Sequence, residues 1–188
     1  EYNARLCRVG AVLISYRARF YDALGRAAGE YHRQFSGGKE EFRLDYRTVS
    51  TVTDPFAPVA ALEGQLQEHL QRHYRAELDS AQCLTGPHKD DFEISLSGIN
   101  LKLYGSQGQT RTAAISLKLA QRELMRREWG QEPVLLLDDV LSELDAGRQD
   151  FVLNQIVHGQ VFITCCDPGR FTTLGKTMEI KDGFRAVR

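Results

Sequence analysis

Cysteine pairs and long apolar runs are both scarce in this sequence, and each scarcity excludes a class of protein. None of the four cysteines belongs to a C-x-x-C pair, and Cys165 and Cys166 are adjacent, so their Cα atoms, about 3.8 Å apart, are too close for an ordinary disulfide. We therefore predict a reducing, cytoplasmic compartment. No apolar run approaches the roughly 20 residues of a membrane span, and no signal-peptide pattern is present. We expect no membrane association.

A Walker A loop, G-x-x-x-x-G-K-[ST], is also absent. Residues 169–177 come nearest, but five residues separate the two glycines of that segment, one more than the loop allows. No pattern long enough for a phosphate-binding helix follows the segment. The sequence starts with Glu1, not Met, inside a helical pattern, so we expect the chain to be a fragment.

The net charge of −1 excludes a strongly basic nucleic-acid-binding chain, but the charge is unevenly distributed. Residues 1–35 hold six arginines and three acids, a balance of +3, whereas residues 132–150 hold six acids and one arginine, a balance of −5. Such asymmetry permits a basic arm and an acidic metal site in one chain.

Residues 2–35 carry the longest helical pattern. Their apolar residues recur in steps of three and four, which predicts the buried face of an amphipathic helix. Arginines fill much of the remainder, either as a solvated face or as an arm that contacts DNA phosphates or a partner protein. The apolar residues are Leu6, Val9, Leu13, Tyr16, Phe20 and Leu24, and the candidate DNA-binding arginines are Arg5, Arg8, Arg17 and Arg19.

Glycine and proline divide the segment that follows. Ser-Gly-Gly at 36–38 predicts a turn. The residues that follow at 42–46 alternate between apolar and charged side chains, which is typical of a strand. Residues 59–80 predict a second helix, in which His69 and His73 have metal-ligand spacing or are ordinary helix residues. G-P-H-K-D-D at 86–91 is either a functional motif or a capped turn before a hairpin of residues 92–96 and 99–103.

The most informative stretch is residues 105–145. S-Q-G-Q at 106–109 precedes a helical pattern at 110–129 with Ser106 as its predicted N-cap, and a helix N-terminus offers free N–H groups and positive dipole to a phosphate. The apolar run at 134–137 ends on Asp138 and Asp139, as a buried sheet strand does when it delivers acids to a magnesium–nucleotide complex. S-E-L-D follows at 142–145. Order and spacing together are typical of the second half of an ABC-type ATPase head.

Three motifs in this order, at 86–91, 104–113 and 135–145, resemble the RecF family of bacterial recombinational-repair proteins, and the resemblance covers essentially the whole chain. The resemblance implies an α/β fold: the C-terminal part of an ABC/SMC-like P-loop ATPase head with a preceding, mostly helical arm domain. The implied boundary separates an arm of residues 1–84 from a head of residues 85–188. ATP and Mg²⁺ are the implied cofactors.

The resemblance also implies a role for each motif residue. Signature residues contact the γ-phosphate of a nucleotide that the opposite subunit holds. One aspartate holds Mg²⁺, mostly through water, the next orients or deprotonates the attacking water, and the D-loop crosses the dimer interface. These residues are Ser106, Gln107, Gly108 and Gln109 for the signature, Asp138 for Mg²⁺, Asp139 for catalysis, and Leu144 and Asp145 for the D-loop. The switch histidine of ABC enzymes is missing, since residues 164–167 read T-C-C-D.

The implied function is DNA repair, recombination and replication, including the SOS response. Family members bind ATP and DNA at gaps and single-strand/double-strand junctions, form an ATP-driven homodimer, and help load the recombinase with RecR and RecO. Without a Walker A loop, this chain alone is predicted to be inactive. Two alternatives stay open: a module that only binds DNA or RecR, and a self-sufficient Mg²⁺ enzyme that uses Asp90, Asp91, Asp138 and Asp139.

Overall fold

The structure, a computed structural model, describes residues 1–141, 144–156, 159–166, 175–181 and 184–186. These residues form two packed units, Glu1–Gly130 and Gln131–Arg188. The elements of the first are α1 (Tyr2–Phe35), β1 (Phe42–Arg47), α2 (Val59–Ser80), β2 (Asp91–Leu96), β3 (Ile99–Asn100), α3 (Leu101–Tyr104) and α4 (Gln107–Trp129). Those of the second are β4 (Leu135–Asp138), α5 (Ala146–Gln155), β5 (Val161–Thr164), β6 (Glu179–Lys181) and β7 (Phe184–Ala186). The mixed α/β class is confirmed, as are the bounds of the first two helices.

The face that α1 buries differs from the predicted one. Of the six predicted positions only Leu24 is buried and Leu6 is half-buried, while the other four, Val9, Leu13, Tyr16 and Phe20, are exposed. The buried face, which we call the inner face, combines four small residues with one isoleucine and one histidine: Cys7, Ala11, Ile14, Ala18, Ala28 and His32.

Close packing explains this choice of face. α1 packs against α2, α4 and β1, and small side chains let neighbouring elements approach closely. At Gly10, a Cβ atom would lie 3.1 Å from Pro87 Cδ and 3.2 Å from Leu66 Cδ1. Periodicity identifies apolar positions but does not rank two candidate faces, so the larger residues made the wrong face look like the core.

An antiparallel sheet of order β1-β2-β3 packs beside α1 in the first unit. Phe42 pairs with Leu96 at one end of its register and Arg47 with Asp91 at the other. The predicted hairpin is confirmed only in part, because β3 has two residues and the Asn100 side chain then caps α3 by accepting the Leu103 N–H. β1 and β2 come from opposite sides of the implied 84/85 boundary, which stays a prediction, whereas the packed units meet at 130/131.

A parallel strand pair forms the part of the second unit that carries the acids. β4 pairs with β5 from Leu135↔Val161 to Asp138↔Thr164. Leu135 and Leu137 are buried, but Leu136 between them is 69% exposed. The prediction of a buried strand is therefore confirmed for one face of β4 only, because the other face is exposed among the described residues.

Candidate nucleotide site

The signature turn begins α4 with a reciprocal capping arrangement. Ser106 Oγ accepts the N–H of Gln109 at 3.2 Å, and Gln109 Oε1 accepts the N–H of Ser106 at 3.0 Å. Two of the N–H groups that have no acceptor within the helix at its start are thereby hydrogen-bonded. Gly105 is required before the turn, because a Cβ atom there would lie 2.5 Å from the carbonyl oxygen of Leu101. The predicted N-cap is confirmed.

Two further N–H groups of the turn remain open. Within the described part of the chain, the N–H groups of Gln107 and Gly108 donate no hydrogen bond. The hydroxyl proton of Ser106 is also available, since its oxygen acts only as an acceptor in the capping arrangement. These donors lie at the positive end of a 23-residue helix, so the turn suits a phosphate oxygen.

A half-buried carboxylate in the turn between α1 and β1 supports this signature turn. Glu40 Oε1 accepts the side-chain N–H of Gln109 at 2.7 Å, and Glu40 Oε2 lies 2.9 Å from His32 Nε2. His32 is fully buried, and its Nδ1 has no hydrogen-bond partner among the described residues. The conformation of the signature turn is therefore tied to α1 through Glu40. No sequence pattern identifies Glu40, because 69 residues separate it from Gln109.

The two aspartates that follow β4 are positioned by the neighbouring strand. Thr164 Oγ1 donates to Asp138 Oδ1 at 2.5 Å and accepts the N–H of Asp139 at 2.9 Å. Asp139 has a φ of +49°, a left-handed conformation that Asp and Asn tolerate better than most residues. The turn exposes both carboxylates, as a metal and water site requires. Thr164 was not predicted, although its place at the end of the adjacent parallel strand was a usable signal.

The predicted D-loop residues serve the start of α5. The Leu144 side chain is buried, and Asp145 caps α5 by accepting the N–H of Arg148 at 3.0 Å. The Gln149 side chain holds the loop, because its amide donates to the carbonyl oxygens of Leu141 (2.7 Å) and Leu144 (3.0 Å). Residues 142–143 of the predicted motif lie outside the described residues. Exposure of Asp145 leaves its carboxylate accessible from solvent.

The G-P-H-K-D-D motif acts as a clamp between α1, β1 and β2. Arg17 Nη1 donates to Pro87 O at 2.5 Å and to Asp90 Oδ2 at 2.7 Å, and Tyr46 Oη also donates to Asp90. The Asp90 side chain is only 4% exposed. Burial and the adjacent carboxylate both raise the pKa of Tyr46. These contacts favour the capped-turn interpretation and leave Asp90 unsuited to the predicted alternative of a metal site.

The candidate DNA-binding arginines do not behave alike. Arg17 is engaged by the clamp, and its pKa is raised by the hydrogen bond to Asp90. Arg5, Arg8 and Arg19 are exposed on α1. No carboxylate lies within ion-pair distance of these three among the residues that the structure describes.

The histidine pair on α2 is already hydrogen-bonded. His69 is buried with Nδ1 2.9 Å from Thr85 Oγ1, and His73 Nδ1 donates to the carbonyl oxygen of His69 at 3.0 Å. Burial, and then the neighbouring His73, lower the pKa of His69. Over the described ranges, no group of three or more His, Cys, Asp or Glu side chains could hold a metal ion. Residues 167–174, which include most of the Walker A look-alike, lie outside the described residues.

The residues that the structure describes can therefore offer Mg²⁺ one or two carboxylates but no complete protein cage. Mg²⁺ usually keeps several waters and binds through few carboxylates together with substrate phosphates, so Asp138 and Asp139 fit it. None of the described helices is long and apolar enough to cross a membrane.

Comparison with known sequences finds relatives described as DNA replication and repair protein RecF. The protein of Clostridium perfringens (strain SM101) is 37% identical over 164 residues, 87% of this chain and 44% of that protein. The protein of Clostridium botulinum (strain ATCC 19397) is 38% identical over 164 residues, which are 87% of this chain and 43% of that protein. The protein of Acetivibrio thermocellus is 36% identical over 170 residues, which are 90% of this chain and 46% of that protein. The chain spans less than half the length of these relatives.

Solved structures agree. A structure of the recombination mediator protein RecF-ATP in the RecFOR pathway matches with a TM-score of 0.78 and 31% identity over 89% of this chain and 44% of that chain. A RecF-ATPrS structure matches with a TM-score of 0.78 and 26% identity, over 98% of this chain and 48% of that chain. No protein-family model matches the sequence. Sequence and fold together show that the chain matches RecF proteins over about nine-tenths of its own length and spans less than half of theirs.

Proposed function

We propose that this chain supplies the signature, the Walker B acids and the D-loop of an ATP-dependent DNA-repair ATPase, as the C-terminal part of its head. The observation that carries the proposal is the signature turn, whose capping arrangement leaves the N–H groups of Gln107 and Gly108 without an acceptor among the described residues. Phosphate is the fitting anion, since a similar solved structure is of RecF with ATP. The proposal includes an ATP-driven homodimer in which this turn contacts nucleotide held by the partner.

The wider role is proposed from the match to RecF proteins. It comprises cytoplasmic DNA repair, recombination and replication, with a part in the SOS response. In this role the protein binds single-strand/double-strand junction DNA and acts with RecR and RecO to load the recombinase. The match to RecF proteins and the RecFOR pathway of the similar structure support this role. Residues 1–84 would serve as the arm and residues 85–188 as the head.

The chemistry assigned to this chain follows from the positions of its side chains. The open N–H groups and the Ser106 hydroxyl donate to a phosphate oxygen and stabilise charge on it. Thr164 fixes the Asp138 carboxylate, which can hold a metal-bound water. Asp139 accepts a proton from, or orients, the attacking water. Mg²⁺, when bound, neutralises phosphate charge.

The first experiment measures ATP binding and hydrolysis by the chain alone and after addition of the remaining part of a RecF protein. We expect no turnover by the chain alone, because it lacks a Walker A loop. Turnover should appear when the remaining part is supplied by mixing or fusion.

The control for this experiment is the same added part with its Walker A lysine replaced, which should give no turnover. Turnover by the chain alone would contradict the prediction that hydrolysis requires a Walker A loop from the remaining part. If the complemented protein hydrolyses no ATP although both parts are folded, the proposed ATPase function would be contradicted.

DNA binding by the exposed arginines of α1 is a second candidate function of this chain. Arg5, Arg8 and Arg19 have no carboxylate partner in the described structure. If they contact phosphates, the logarithm of DNA affinity falls linearly with the logarithm of salt concentration. Each arginine-to-glutamine change should then lower that slope by about 1, as measured by fluorescence anisotropy on junction and duplex DNA. Unchanged slopes in all three variants would rule out these contacts.

A further inference from the structure

A cleft beside the clamp has no role in the proposed nucleotide chemistry. It has a volume of about 290 Å³ and lies between α1, the G-P-H-K-D-D motif and the first residues of β2. Clefts that bury a whole drug-sized ligand are usually about 300–1,000 Å³. This cleft is therefore of a size for one group of a longer molecule. The lining side chains that can bind such a group are Arg17, Tyr21, Asp91 and Phe92.

Aromatic rings form a flat wall of the cleft. The Tyr21 ring stacks on Tyr46, with ring centroids 5.4 Å apart and an interplanar angle of 11°, and on Phe92, at 5.6 Å and 29°. Tyr46 and Phe92 are cross-strand partners in the register of β1 and β2. Because the three rings hold one another in place, they form a rigid platform, in which Phe92 is 43% exposed. A further planar ring can stack on the open surface of Phe92.

The cleft also offers hydrogen-bond donors and an acceptor. The two hydrogen bonds from Arg17 to the clamp both use Nη1, which leaves Nε and Nη2 of the guanidinium as donors among the described residues. Asp91 Oδ1 accepts the N–H of Phe92 at 2.8 Å, and Asp91 is exposed, so its second carboxylate oxygen is open to a ligand. Since the clamp already fixes the guanidinium, a ligand that accepts from Arg17 immobilises little additional side chain.

The charge of the cleft favours a neutral group. Arg17 is paired with the buried Asp90, and Asp91 forms no ion pair within the described part of the chain. One cationic and two anionic side chains line the cleft, a formal charge of −1 with His88 neutral, which disfavours a phosphate. An arginine or lysine side chain would suit Asp91 but would face the Arg17 cation. A planar, uncharged group with both N–H donors and acceptor atoms on its edge avoids both conflicts.

An unpaired nucleobase has this combination. Every base has a π-face that can stack on an aromatic ring, and its edge carries acceptor atoms and N–H donors. We propose that the cleft binds one unpaired base of a DNA strand, which stacks on Phe92, accepts a hydrogen bond from Arg17 and donates one to Asp91. This inference rests on the DNA binding proposed above and gives the single-stranded part of the junction a binding site. None of the exposed arginines proposed for phosphate contacts lines the cleft.

Abasic DNA tests the proposal in the complemented protein. Junction DNA is prepared with one abasic site at successive positions of its single-stranded arm, which removes a base and keeps the phosphates. Fluorescence anisotropy at a fixed salt concentration measures the affinity. We expect one position at which removal of the base weakens binding about tenfold, within the usual contribution of a stacked base. Phe92→Leu should weaken binding of the intact junction by the same factor, and should bind intact and abasic DNA equally at that position.

Two further variants sharpen this result. Phe56 is 56% exposed and lies outside the cleft, so Phe56→Leu should respond to the abasic site as the unmodified protein does. Asp91→Asn keeps an acceptor for the Phe92 N–H but replaces one carboxylate oxygen by a donor. At the sensitive position, this variant should lose more affinity for cytosine, whose edge carries an amino donor, than for thymine, whose edge carries a carbonyl there. Because Asp91 is exposed, this variant decides on the edge contact even if Phe92→Leu does not fold.

Failure of the base site can be told apart from failure of DNA binding. If no position is sensitive to base removal, or if the losses from Phe92→Leu and the abasic site are additive, the base site is overturned while DNA binding stands. A complemented protein that binds no junction DNA would overturn the proposed DNA binding together with the base site. Normal DNA binding by Phe92→Leu with loss of a protein partner would assign the cleft to a protein side chain and overturn the proposal.

Discussion

Replacement of Asp139 by asparagine is expected to lower ATP turnover of the complemented protein about 10²–10⁴-fold, the usual contribution of a general base. Asparagine has nearly the same shape but cannot take a proton. It also tolerates the φ of +49° at this position, and the hydrogen bond from the residue 139 N–H to Thr164 uses only the backbone amide. The loss should therefore be catalytic and should leave folding and nucleotide binding intact.

Single-turnover hydrolysis and equilibrium nucleotide binding measure the two effects separately. Asp150→Asn is the matched control, since Asp150 is an exposed acid on α5 outside the site. The control should hydrolyse ATP at the unmodified rate. Full turnover by the Asp139→Asn protein would remove Asp139 from the proposed mechanism, and lost nucleotide binding would indicate a structural role.

Glu40→Ala should lower the free energy of unfolding by about 2–4 kcal/mol, since it removes two hydrogen bonds and leaves a nitrogen of the buried His32 ring without a partner. His32 is fully buried and loses its contact at Nε2, and the side chain of Gln109 loses its acceptor. Because Gln109 also closes the capping arrangement, the signature turn should loosen. Urea denaturation measures the stability.

The neighbouring Glu41 provides the control for Glu40. Its side chain is 74% exposed and lies 3.7 Å from Arg43, so Glu41→Ala should change stability by no more than about 0.5 kcal/mol. In the complemented protein, only Glu40→Ala should also weaken ATP-driven dimerisation. Equal effects of the two substitutions would show that Glu40 does not support the turn.

The signature turn could be predicted from sequence because its residues contact each other within a few positions. The residues that support the site could not, because they lie far away in the sequence. Ser106 and Gln109 bond to each other within one helical turn, so their residue types and spacing identify the cap. The threonine that orients Asp138 lies 26 residues away, and Glu40 lies 69 residues from Gln109. Such contacts depend on how strands and helices meet, which a linear pattern does not encode.

The error on α1 has a related cause. Two faces of this helix repeat in steps of three and four, and hydrophobicity alone favours the one with larger side chains. The smaller face is buried because it permits close approach to several elements at once.

The burial of the inner face sets an order of events during synthesis. Leu24 and Ala28 pack in one cluster with Ala113 and Ala120, which leave the ribosome about 90 residues later. At about 5–20 residues per second, the C-terminal half of α1 waits roughly 5–20 s for these contacts. Throughout that interval the nascent helix presents apolar surface on two sides, so chaperone capture should concentrate on the first 30 residues of this chain.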